Sequence, residues 1–139
     1  MLDIFDILGP VMVGPSSSHT AGAVRIGSMA RTLLGGAPVK ADIGLYGSFA
    51  ETGRGHGTDR ALVGGILGYH PDDERIRDSF EHAKEAGLAF SFEENFTDKE
   101  IYPNTVDIYV TDKDGSVVSL RGKSIGGGNA VITRLNGVD

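Results

Sequence analysis

The chain has no cysteine and no tryptophan in its 139 residues. Without cysteine it can form neither a disulfide nor a thiolate metal site, and it cannot itself ligate an iron–sulfur cluster. It has no run of 18 apolar residues, so a helical membrane span is not expected. Its first residues carry Asp3 and Asp6 within an apolar stretch and lack a basic leader, so a signal peptide is not expected and a cytoplasmic location is the default. Positive charge is scarce: 13 Lys and Arg stand against 19 Asp and Glu, for a net charge of −6, and the basic residues are scattered. A nucleic-acid face needs them clustered, so neither nucleic acid nor membrane is expected as a partner.

Glycine is what the chain has in excess, 21 of 139 residues, roughly twice the average usage. The glycines lie between apolar runs, which points to tight turns and close backbone approaches rather than to disorder. Residues 1–8 read as a short helix with a mixed face, or else a strand, ended by Gly9-Pro10. Residues 20–34 carry a wide apolar face at helical spacing, with Ser18 or Thr20 as N-cap and Gly35-Gly36 as stop. The small residues of that face, Gly22, Ala23, Gly27 and Ala30, suggest close packing on a sheet or another helix. Residues 39–49 alternate as a strand, 59–67 form a short helix, and Pro71-Asp72-Asp73-Glu74 reads as a helix start. Strands follow over 88–92, 105–111, 117–120 and 130–135, with a hairpin signal at Asp114-Gly115. The sum is one α+β domain over residues 1–139, a mainly antiparallel sheet of four to five strands with three to four helices packed on it.

Two loops share one plan. In Gly14-Pro15-Ser16-Ser17-Ser18-His19-Thr20, hydroxyls and a histidine precede a helix. In Thr52-Gly53-Arg54-Gly55-His56-Gly57-Thr58-Asp59, glycines surround a histidine before the next helix. A helix N-terminus offers unpaired N–H groups and partial positive charge, so such a loop can cradle an anion. Neither loop contains Lys or matches the phosphate-binding G-x-x-x-x-G-K-[ST] pattern, which favours a small carboxylate over a nucleotide. An imidazole there can act as a general base near neutral pH. Each feature also has a plain explanation, a serine-rich cap or a surface histidine; the recurrence of one plan in two loops weighs against it. A nucleophilic serine is disfavoured, because there is no G-x-S-x-G elbow and Ser and His stand too close in sequence for a triad. His70 and His82 read as surface residues, and the four histidines show no metal-ligand spacing, so no metal ligand is assigned. Gly126-Gly127-Gly128 is either a third functional loop or a plain turn.

The first motif, followed by Gly22 and Arg25, resembles the signature of the iron–sulfur-dependent L-serine dehydratases. The loop from Gly53 to Asp59 and the segment Ser124-Ile125-Gly126-Gly127-Gly128 resemble the same family in the same order. Within it the chain is similar to the beta chain, a domain also found as an allosteric substrate-binding domain in some phosphoglycerate dehydrogenases. The resemblance implies a lyase that deaminates L-serine to pyruvate and ammonia. It implies an alpha chain as partner, with a [4Fe–4S] cluster held by that chain and one iron acting as Lewis acid on the serine hydroxyl. It implies His19 as base or close partner and His56 as its assistant. Ser16, Ser17, Ser18 and Thr20 would hold the carboxylate, with Thr58 and Asp59 counted in the substrate-binding set. Beta chains of this family continue into an ACT regulatory domain, expected to be absent here beyond Asp139. A homodimer of the domain stays open beside the alpha-chain partnership. The alternative is an allosteric domain binding serine or another small carboxylate with no chemistry of its own.

Overall fold

The computed structural model describes residues 17–52, 57–95, 102–126 and 128–138, with the backbone alone for 17–19, 52 and 126. The expected helix over 1–8 and its Gly9-Pro10 break lie outside those residues. The elements are helix α1 (Ser17–Leu34), strand β1 (Pro38–Tyr46), helix α2 (Ser48–Thr52), helix α3 (Thr58–Ile66), a 3-10 turn (Glu74–Asp78), helix α4 (Ser79–Glu85), and strands β2 (Ala89–Asn95), β3 (Thr105–Asp112), β4 (Val117–Gly126) and β5 (Asn129–Leu135). The five strands form one sheet in the order β2-β1-β3-β4-β5. Only the β1–β2 pair is parallel; the other three are antiparallel. The α+β architecture read from the pattern is the one found.

Alternation puts one face of the sheet into the core. Ala41, Ile43 and Leu45 of β1 and Val106, Ile108 and Val110 of β3 are buried. Ile43 stands opposite both Ile108 and Phe92, so apolar side chains run across three strands in register. Helix α1 closes this face, packing on β3, β4 and β5 and along α3. Phe80 of α4 stacks on Phe90 of β2, ring centroids 4.8 Å apart. Each large apolar side chain so buried contributes roughly 1.5–3 kcal/mol.

The small residues of α1 serve two partners. A Cβ on Gly27 would stand 2.4 Å from the Leu62 carbonyl oxygen, and one on Gly65 of α3 would stand 2.1 Å from that of Val24. The two helix backbones therefore touch directly. On the sheet side the gap lies in the strand: a Cβ on Gly122 would meet Ile26 Cγ2 at 2.7 Å.

On the opposite face Arg121 forks onto Asp107, Nε to Oδ1 at 2.7 Å and the second guanidinium nitrogen to Oδ2 at 2.9 Å. Tyr46 donates its hydroxyl to Asp107 Oδ2 at 3.0 Å. The Arg121 guanidinium lies 4.4 Å from the centre of the Tyr102 ring. Burial, then the hydrogen bond to Asp107, push the Tyr46 phenol above its ordinary value, and the fork on Asp107 raises Arg121. Tyr46 therefore stays a donor through neutral pH, and its bond is lost only as pH rises through that raised value.

Four boundaries differ from the sequence reading. Helix α1 begins at Ser17, so Ser18 and Thr20 lie inside its first turn and neither is the N-cap. The helix expected from Pro71 starts later: Asp73 accepts the Arg75 N–H at 2.9 Å and caps the 3-10 turn, with α-helix only from Ser79. The strand expected through Phe49 ends at Tyr46; Gly47, at φ +63, turns the chain into α2. The return strand from Val117 runs on to Gly126, past the glycine and polar residues that masked its alternation.

Substituting Gly65→Ala is expected to lower stability by about 2 kcal/mol or more, because its new methyl meets backbone that no rotamer change can clear. Urea midpoints measure this. Arg121→Ala is expected to cost about 2 kcal/mol by leaving the half-buried Asp107 carboxylate short of its charged partner; an unfolding free energy within about 0.5 kcal/mol of the parent would contradict that role.

Candidate functional site

The early start of α1 changes what the first motif is. Ser17, Ser18 and His19 open the first helical turn, where backbone N–H groups have no intrahelical acceptor, and Thr20 follows them. Hydroxyl-bearing residues and the N–H groups of a helix start thus share one stretch. The first turn contains no acidic residue, so no side-chain carboxylate there competes for a bound anion.

Three consecutive residues of α1 then meet two other segments. Thr20 Oγ1 lies 4.0 Å from the point a Cβ on Gly57 would occupy. Ala21 Cβ lies 3.4 Å from the corresponding point on Gly128. A Cβ on Gly22 would stand 2.7 Å from Ser124 Oγ and 3.1 Å from the Asn129 carbonyl oxygen. Gly57 belongs to the second histidine loop, while Ser124, Gly128 and Asn129 belong to the glycine turn joining β4 to β5. The three segments singled out in the sequence therefore assemble around one helix start. Topology brings them there: β1 ends into α2 and the second loop, and β4 ends into the glycine turn.

Of the residues expected in the site, Ser16 and His56 lie outside the described residues, and Ser17, Ser18 and His19 are placed by their backbone. Thr20 is half-buried beside Gly57. Thr58 and Asp59 are 6% and 3% exposed in the first turn of α3. The Asp59 carboxylate accepts the Arg60 N–H at 2.7 Å, an acid placed to stabilise that helix end. Gly57, at φ +101, forms the entry to α3. His70 is exposed, as read from the sequence, whereas His82, expected at the surface, is half-buried against Tyr69 with Nδ1 3.6 Å from Glu85. His70 borders a shallow groove of about 400 Å³ along the flank of α1, with Arg25, Met29 and Ile132 among its walls. Among the described residues no group of three His, Asp or Glu could hold a metal ion, and no helix is long and apolar enough to cross a membrane. Sequence reasoning missed Gly22 as a contact residue: its place in a small-residue stripe was visible, but not that its neighbour would be Ser124.

The family model described as serine dehydratase beta chain matches residues 1–134. The chain belongs to that family. It is similar to the L-serine dehydratase beta chain of Peptoniphilus asaccharolyticus, 48% identical over 134 residues that cover 96% of this chain and 60% of the relative. It is similar to the probable L-serine dehydratase beta chain of Bacillus subtilis, 48% identical over 136 residues, 98% of this chain and 61% of the relative. An L-serine dehydratase of Streptomyces coelicolor is 31% identical over 161 aligned positions, 99% of this chain and 35% of that protein. The chain thus spans about three fifths of the length of the beta chains it matches. The family match includes all three segments that meet at α1, and with them the contacts that need glycine.

Gly57→Ala is expected to destabilise the domain by about 1–2 kcal/mol, because its positive φ is costly for any residue with a Cβ. A thermal melt checks this. An unchanged midpoint would mean that the second loop is not held in this conformation.

Proposed function

We propose that this chain is the beta-chain part of an L-serine dehydratase, which together with an alpha chain converts L-serine to pyruvate and ammonia in the cytoplasm. The observation that carries the reading is the meeting of Thr20 with Gly57, Ala21 with Gly128 and Gly22 with Ser124 at the start of α1. Family membership supplies the reaction class, and the names of the related beta chains supply the substrate.

In this reading the substrate carboxylate is taken by the N–H groups of the α1 first turn and by the hydroxyls of Ser16, Ser17, Ser18 and Thr20. Fixed donors of this kind orient as well as bind. His19 accepts the proton from the substrate Cα, and His56, from the second loop, assists by orienting the substrate or relaying the proton. Thr58 and Asp59 complete the substrate side from the start of α3. Loss of the Cα proton and of the β-hydroxyl as water leaves an enamine, whose imine form is hydrolysed to pyruvate and ammonia. The residues of this chain do not fit an iron–sulfur cluster, since it contains no cysteine. A [4Fe–4S] cluster is therefore assigned to the alpha chain, and no step performed by this chain runs through it.

Mixing the purified chain anaerobically with a cluster-loaded alpha chain is expected to yield pyruvate from L-serine, with neither chain active alone. His19→Ala in the mixed enzyme should reduce turnover by about 10²-fold or more if His19 is the base. Near-normal turnover of that variant would remove His19 from the role. Calorimetric binding of L-serine by a mixture that forms no pyruvate would instead favour an effector-binding domain.

A further inference from the structure

We infer that Gly22 and Ser124 are positioning residues, a matched pair that sets where the first turn of α1 stands and through it where the proton-transfer group is held. The inference rests on the lyase reading above and adds to it residues outside the two histidine loops. Gly22 follows His19 by three residues, less than one helical turn. A Cβ on Gly22 would stand 2.7 Å from Ser124 Oγ, 3.3 Å from Ser124 Cβ and 3.1 Å from the Asn129 carbonyl oxygen.

The strand side resists displacement. Ser124 is 1% exposed. Its N–H donates to the Asn104 carbonyl at 3.0 Å, and it pairs with Ala130 across the β4–β5 ladder. Asn129 closes the same ladder opposite Gly126. An added atom at Gly22 must therefore move the helix start away from β4. This differs from the Gly27 contact, which binds the middle of α1 to α3 and tests stability alone. A donor array or base displaced by a fraction of an ångström to an ångström loses alignment, and such a misplacement can cost on the order of 10²-fold in rate.

The test uses the mixed enzyme with its alpha chain. Gly22→Ala is expected to lower kcat at least about 10-fold while KM for L-serine moves little. Adding Ser124→Gly removes both Ser124 atoms from the clash, so the double variant should recover most of the kcat lost in the single one. A merely structural role predicts that the double variant recovers stability while the folded Gly22→Ala enzyme keeps the parent kcat. Folded Gly22→Ala enzyme with the parent kcat, or a double variant no faster than Gly22→Ala, would overturn the inference. If Gly22→Ala does not fold, Ser124→Thr adds a methyl to the same contact from the strand. Its kcat should fall likewise, and a folded Ser124→Thr enzyme with the parent kcat would overturn the pairing. Absence of pyruvate with the unaltered chain would instead refute the lyase reading, so the two failures are distinguishable.

Discussion

Direct backbone contact along α1 is the constraint on which the rest of this structure depends. At Gly27 and Gly65 the α1 and α3 backbones approach so closely that any side chain would strike a carbonyl oxygen. At Gly122 the strand gives up its side chain so that Ile26 can enter the sheet. Contacts between flexible side chains can be re-made by rotamer changes. Contacts between backbones cannot, because helix and ladder hydrogen bonds fix both partners. The position of α1 is therefore set largely by residues that have no side chain.

That constraint reaches the helix start. Ala21, against Gly128, and Gly22, in contact with Ser124 and Asn129, join the packed middle of α1 to its hydroxyl-rich first turn. The ends of β1 and β4 lead into the second and third glycine segments at the same end of the sheet. Three stretches far apart in sequence thus meet through loops that leave ordered strands. The other sheet face is held separately by Arg121, Asp107 and Tyr46, so the site end and the outer face are stabilised by unlike interactions.

The architecture was legible because alternation in β1 and β3 and the apolar face of α1 are strong periodic signals. The boundaries were read less well, each for a local reason. Asp73 and Gly47 act through cap and turn geometry that outweighs the Pro71 and Phe49 signals. Strand β4 alternates through Gly122 and Ser124, where burial is not marked by hydrophobicity. The candidate loops were legible by composition, whereas their meeting at Thr20, Ala21 and Gly22 was not, since no local pattern states which strand turn a helix start will touch. The resemblance to the beta chains supplied the order of the motifs but no contact between them.

A carboxylate approaching a chain of net charge −6 needs a local source of positive potential. A guanidinium would supply one through a long side chain able to follow the ligand. A helix N-terminus supplies about half a charge from N–H groups that point in one direction and cannot follow. Its attraction is thus sensitive to where the helix begins, and a site built on it gains orientation at the expense of tolerance. Under the proposed reading, glycine packing and the carboxylate cradle are one design: a donor array that cannot adapt is useful only on a helix held in place, and the glycines of α1, α3 and the β4–β5 turn are what hold it.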